Sequence, residues 1–161
     1  MLLQNGADAN TANSNGATAV YISAQKNSHE CLTLLLQNGA DAGRATNNGT
    51  TAVYIAAEFN SHQCLALLLQ NGADANTATN DGFTAVYISA QENHHECLAL
   101  LLQNGADANI ATNDGFTAVY ISAQETPHEC LALLLLHCSD AGRVNNDGST
   151  PCPFYASDPT N

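Results

Sequence analysis

A Gly-x-Thr triplet returns through this chain at a fixed interval of 33 residues. It begins at Gly16, Gly49, Gly82, Gly115 and Gly148 and ends at Thr18, Thr51, Thr84, Thr117 and Thr150. A strict period of this size specifies a stacked array of like units, not a globule with one central core. The stretch Asn80–Asn109 carries one whole unit. Asn80-Asp81-Gly82 is turn chemistry: glycine supplies the positive φ of a tight turn, and Asn or Asp side chains bond their own backbone. Thr84 stands where a helix N-cap belongs, ahead of Ala85-Val86-Tyr87-Ile88-Ser89-Ala90-Gln91, a helix of about two turns. Asn93 tolerates the left-handed conformation that closes such a helix.

A second helix is expected from about His94 or His95 to Gln103. Cys97, Leu98, Leu101 and Leu102 form one apolar stripe, which Leu100 widens. Asn104-Gly105 ends it in the same left-handed way. A short helix pair of this kind cannot cover its own apolar faces, so neighbouring units must stack.

These residues carry a family resemblance. G-x-T-A-V-Y-I-S-A followed by H-E-C-L-x-L-L-L-x-x-G-A-D-A-N resembles the ankyrin repeat, whose period is also 33. The resemblance spans essentially the whole chain. It implies an all-α solenoid of helix-turn-helix units joined by short β-turn or hairpin loops. The family's Pro is replaced by Ala19, Ala52, Ala85 and Ala118, and its His by Tyr21, Tyr54, Tyr87 and Tyr120. The Gly after the first helix is replaced by Asn27, Asn60, Asn93 and Thr126.

The expected division is a partial repeat at 1–12, the end of a second helix, then repeats at 13–45, 46–78, 79–111 and 112–144. Residues 145–161 begin an incomplete terminal repeat that meets Pro153 before any second helix. Neither end carries the polar cap a stable solenoid needs. The chain therefore reads as a piece of a longer array, with weak self-association or fraying expected at its ends.

Charge and composition narrow the partners. Three basic residues oppose fifteen acidic ones, for a formal net charge of −12. Such a surface repels phosphate backbones and anionic lipid, so neither nucleic acid nor membrane is an expected partner. The longest apolar run, Leu131 to Leu136, falls far short of the ~20 residues of a bilayer span. Six cysteines with no evident pairing suit a reducing, cytoplasmic setting.

Chemistry finds little support. Cys31, Cys64, Cys97 and Cys130 recur at one helical position and are expected as small buried hydrophobes. In each His-x-Cys pair the two side chains point about 200° apart on a helix, so one metal ion cannot reach both. Nucleotide-binding, nucleophile-elbow and zincin motifs are absent from the sequence. The expectation is a chain with no catalytic residues, no metal and no cofactor.

What remains is the surface. The resemblance implies a protein or peptide partner bound on the concave strip formed by the turn tips and first helices. Carried over position by position, the strip comprises Asn15, Asn48, Asp81 and Asp114 at the tips, with Phe83 and Phe116 beside the turn glycines. It continues through Lys26, Glu58-Phe59, Gln91-Glu92 and Gln124-Glu125 at the ends of the first helices. Phenylalanines within an acidic strip suit a basic partner with apolar anchors. The alternative is a targeting ankyrin segment of a larger enzyme or pathogen effector whose catalytic domain lies outside this chain.

Overall fold

The computed structural model describes residues 8–124 and 129–137. Within them the chain forms eight helices in four successive pairs: α1 Ala19–Gln25, α2 His29–Gln37, α3 Ala52–Glu58, α4 His62–Gln70, α5 Ala85–Gln91, α6 His95–Gln103, α7 Ala118–Gln124 and α8 Glu129–His137. Among the described residues there is no strand, only an isolated antiparallel bridge between Ala12 and Thr18.

Each first helix starts on a threonine. The Thr18, Thr51 and Thr84 hydroxyls accept the backbone N–H of Tyr21, Tyr54 and Tyr87 at 3.3, 3.2 and 3.2 Å. Each bond satisfies a first-turn donor with no partner inside the helix. Each of these first helices ends in a Schellman motif whose left-handed residue is Asn27, Asn60 or Asn93, with φ of 52°, 53° and 55°. The closing bonds run from Ser28, Ser61 and His94 N–H to Ser23, Ala56 and Ser89 carbonyls at 2.8–2.9 Å. Second helices α2, α4 and α6 end the same way on Gly39, Gly72 and Gly105. Both turn residues that the sequence offered are thus used, asparagine after one helix and glycine after the other.

The helices form two layers. α1, α3, α5 and α7 lie side by side in one, α2, α4, α6 and α8 in the other, and each first helix packs on the second helix of its own pair. The core runs the length of the array between the layers. It is built from Val20, Val53, Val86 and Val119 on one side and Leu32, Leu35, Leu65, Leu68, Leu98, Leu101 and Leu134 on the other. Alanines such as Ala24, Ala57 and Ala90 let neighbouring first helices approach closely.

The turn tips are tied to one another. Backbone N–H groups of Asn47, Asn80 and Asn113 donate to the carbonyls of Asn15, Asn48 and Asp81 at 3.0, 3.0 and 3.1 Å. The side-chain amides of the same asparagines donate to Ser14, Asn47 and Asn80 carbonyls. Gly49 is required here twice over. Its φ is +78°, and a Cβ on it would lie 2.9 Å from the Asn80 nitrogen.

Cys64, Cys97 and Cys130 are buried, as the small-hydrophobe reading expects, but Cys31 is exposed. Burial at this position comes from the preceding helix pair, and α2 has none among the described residues. Ile22 stands at 42% exposure, whereas Ile55 and Ile88, with a helix pair on each side, stand at 4% and 5%, and Ile121, with a described pair on its preceding side, is half-buried.

Candidate functional site: the concave face

The layer of first helices and the turn tips beside it form one continuous open face. Asn15, Asn48, Asp81 and Asp114 stand exposed at the tips, joined through the hydrogen-bond ladder just described. Lys26, Phe59 and Glu92 are the C-cap residues of α1, α3 and α5, all exposed. Glu58 and Gln91 close their helices half-buried. The Gln91 amide donates to the Glu92 carboxylate at 3.1 Å, and the Gln124 amide to the Tyr120 hydroxyl at 3.2 Å. Glu125 lies outside the described residues.

Phe83 and Phe116 are less exposed than their place beside turn glycines suggests. Both are half-buried. Their rings lie on Tyr87 and Tyr120, with centroids 5.1 and 5.0 Å apart and tilted planes. This is a favourable aromatic geometry. It leaves each phenylalanine with one face against the array and its remaining surface toward solvent.

The tyrosines were missed as part of this face. Tyr21, Tyr54, Tyr87 and Tyr120 stand 33 residues apart in a chain only 6% aromatic, which was the available signal. Along this row Tyr54 feels the phenols of Tyr21 and Tyr87, and Tyr87 that of Tyr120. Burial pushes Tyr54 up to about 12, helped by the carboxylates of Glu58 and Glu92 and by the phenols of Tyr21 and Tyr87. Burial first, and Glu92 second, raise the Glu58 carboxyl above the usual range. Like charges therefore converge beside Tyr54. Among the described residues no lysine or arginine forms a salt bridge with either carboxylate; the ion pairs present are His29–Glu30 and His62–Glu96, both 3.8 Å.

The face is not uniform along its length. Where the later pairs carry Phe83 and Phe116, the earlier ones carry Ala17 and Thr50. The smaller side chains leave a groove of about 440 Å³ whose lining includes Asn15, Ala17, Tyr21, Ile22, Asn48 and Thr50. No charged side chain lines it.

The opposite flank offers less. His62 is exposed while Cys64 is buried two residues on, so the pair diverges. Among the described residues no three His, Cys, Asp or Glu side chains converge as a metal site would require. Burial, with Glu96 second, raises the Cys97 thiol to about 12, and burial with Glu129 raises Cys130 to about 11. These thiols stay protonated at neutral pH and are poor nucleophiles. No helix among the described residues is long and apolar enough to cross a membrane.

Stacked helix pairs with an open face and turn tips in register define a repeat solenoid, a class that works by presenting a surface. The family model for ankyrin repeats (three copies) matches residues 1–79 and again 76–147, and the chain belongs to the ankyrin repeat family. Ankyrin repeats are generally protein–protein interaction modules, and the family is typically non-catalytic. No curated protein matches the chain.

Proposed function

We propose that this chain is a non-catalytic scaffold whose concave face holds a basic segment of a partner protein, anchored by apolar side chains. The observation that carries this reading is the crowding of Glu58 and Glu92 around Tyr54, where burial and mutual repulsion disfavour the charged carboxylate of Glu58. A lysine or arginine from a partner would relieve both, with the tyrosine faces available for cation–π contact. Phe59, Phe83 and Phe116 supply apolar surface beside it, the uncharged groove lined by Asn15 and Asn48 receives the end of the segment that carries no charge, and Lys26 closes the face at its first helix. Asp81, Asp114, Gln91, Gln124 and Glu125 extend the polar rim. The unpaired thiols suit a reducing, intracellular compartment.

The test is capture of partners by the full chain, repeated at rising salt and with Glu58→Gln/Glu92→Gln. Capture should weaken at high salt, and the double variant should bind at least about tenfold more weakly, which corresponds to about 1.4 kcal/mol. The sign on stability is opposite. The folded-state pKa of Glu58 is raised, so its ionisation opposes folding as pH rises through the carboxylate range. Glu58→Gln should therefore leave the array slightly more stable at neutral pH, by well under about 1 kcal/mol because solvent still reaches this half-buried group and screens it. Salt-insensitive capture by the double variant would sink the reading.

A further inference from the structure

We propose that the groove between the first two turn tips is a socket for one aromatic side chain of the partner, stacked on Tyr21. The socket rests on the concave-face reading and deepens it, by naming the anchor that seats the uncharged end of the bound segment.

The molecule carries its own template for this contact. Phe83 lies on Tyr87 and Phe116 on Tyr120, with ring centroids 5.1 and 5.0 Å apart. Ala17 stands at the same spacing from Tyr21 and brings no ring. The frame around it is nevertheless the same. The Ala17 N–H donates to the Asn13 side-chain oxygen at 3.0 Å, as the Phe83 and Phe116 N–H groups donate to the hydroxyls of Thr79 and Thr112 at 3.1 Å. The Ala17 carbonyl accepts the Asn13 N–H at 3.0 Å, as those of Phe83 and Phe116 accept Thr79 and Thr112 at 2.9 and 2.8 Å. The Tyr21 N–H is held by the Thr18 hydroxyl as that of Tyr87 is by Thr84. Backbone and tyrosine are therefore set as they are in the later units, and only the second ring is missing.

The socket lies inside the array. Asn15, Ala17 and Tyr21 of one unit and Asn48 and Thr50 of the next frame a space of about 440 Å³. Side-chain size opens it, not the array's edge. Tyr54 and Tyr87 each have a helix pair on both sides, yet Tyr87, which carries Phe83, is buried, and Tyr54, with Thr50 in that place, is half-buried. Chemistry then selects the occupant. The tips bordering the socket end in the amides of Asn15 and Asn48, where later tips carry the carboxylates of Asp81 and Asp114. An uncharged rim does not offset the cost of desolvating a cation. A tyrosine face favours a second ring in tilted contact. The amides can both donate to and accept from the peptide groups that flank such a ring. Lysine and arginine are left to the carboxylates of Glu58 and Glu92 further along the face.

The probes are N-acetylphenylalaninamide and N-acetylleucinamide, both uncharged. Binding to the full chain is read by saturation-transfer NMR and by shifts of the Tyr21 ring signals. The aromatic amide should bind in the millimolar range and perturb Tyr21, and the leucine amide should bind at least about threefold more weakly because it cannot stack. Ala17→Phe supplies the missing ring from within the chain and should abolish binding at Tyr21, with helix content unchanged by circular dichroism. If that variant loses helix, Tyr21→Leu, which removes the floor of the socket, carries the same expectation. Phe83→Ala should open a second socket, seen as new shifts at Tyr87. Neither salt nor Glu58→Gln/Glu92→Gln should alter the binding of these neutral probes, so the socket and the reading of a basic segment fail separately. No binding at Tyr21, binding there that persists in Ala17→Phe, a leucine amide bound as well as the aromatic one, or a Phe83→Ala chain that gains nothing at Tyr87 would overturn the proposal.

Discussion

α1 and α5 have the same seven residues and the same threonine N-cap, yet they live in different environments. In α5 every residue from Ala85 to Ala90 is buried; in α1 only Val20, Ser23 and Ala24 are. The difference is position. Among the described residues α5 has a helix pair on each side, whereas α1 has one on its following side alone. Helix formation is thus a local property here, set by threonine caps and left-handed exits. Burial is a property of the junction, supplied by whichever pair comes before or after. A solenoid's stability is then a sum of unit terms and nearest-neighbour terms, with the latter missing at an edge.

The sharpest test of that contrast is a matched pair of truncations. Ile88→Ala should cost about 2–5 kcal/mol, because it opens a cavity in a covered junction. Ile22→Ala, at the equivalent position, should cost about 1 kcal/mol or less in the monomer. Denaturant melts of the two variants read the difference directly, and equal losses would break the comparison. A second pair should show no contrast. Thr84→Ala and Thr18→Ala each remove a cap bond internal to one helix pair, so each helix should lose about 1 kcal/mol of its own stability. Hydrogen exchange of the helix amides checks this, and a large gap between the two would mean that caps act across junctions.

The smallest effect is a titration. Tyr54 has a helix pair on each side and both neighbouring phenols against it, and its folded-state pKa of about 12 exceeds the ordinary 10.0. The unfolded chain therefore ionises first as pH rises. Stability should be fully present below about pH 10 and fall between the two values. Tyrosinate absorbance should show Tyr54 titrating late, and Tyr54→Phe should flatten the stability loss across that window. A profile unchanged in Tyr54→Phe would mean that neither burial nor the neighbouring carboxylates hold the Tyr54 phenol above its ordinary value.

The fold was legible because its signals are local and repeated. Gly49, Thr51, Asn60 and the Leu65–Leu69 run each announce a turn, a cap, an exit and a buried stripe within a few residues of one another. Exposure at Cys31 and Ile22 was not legible by the same means, since nothing in either residue's own neighbourhood differs from its buried equivalents. The positions of Asp81, Glu58 and Glu92 on the first-helix and turn-tip face were legible in outline, because the period assigns each its place in the unit. The tyrosine row was overlooked because its spacing looked like a substituted structural position. The groove by Ala17 and Thr50 arises from side chains too small to fill it, a property that becomes visible only once Phe83 and Phe116 show how the same place is occupied further along.

The ladder of turn-tip bonds has a consequence for how such a molecule can change. Because Asn47, Asn80 and Asn113 all reach back to the same point one period earlier, gaining or losing 33 residues leaves every remaining contact with its correct mate. Gaining or losing any other number shifts a donor away from its carbonyl and turns a glycine's place over to a residue that cannot bend there. Length is consequently free to vary in whole steps while the cross-section stays constant, and the reach of the open face can lengthen or shorten without a new fold.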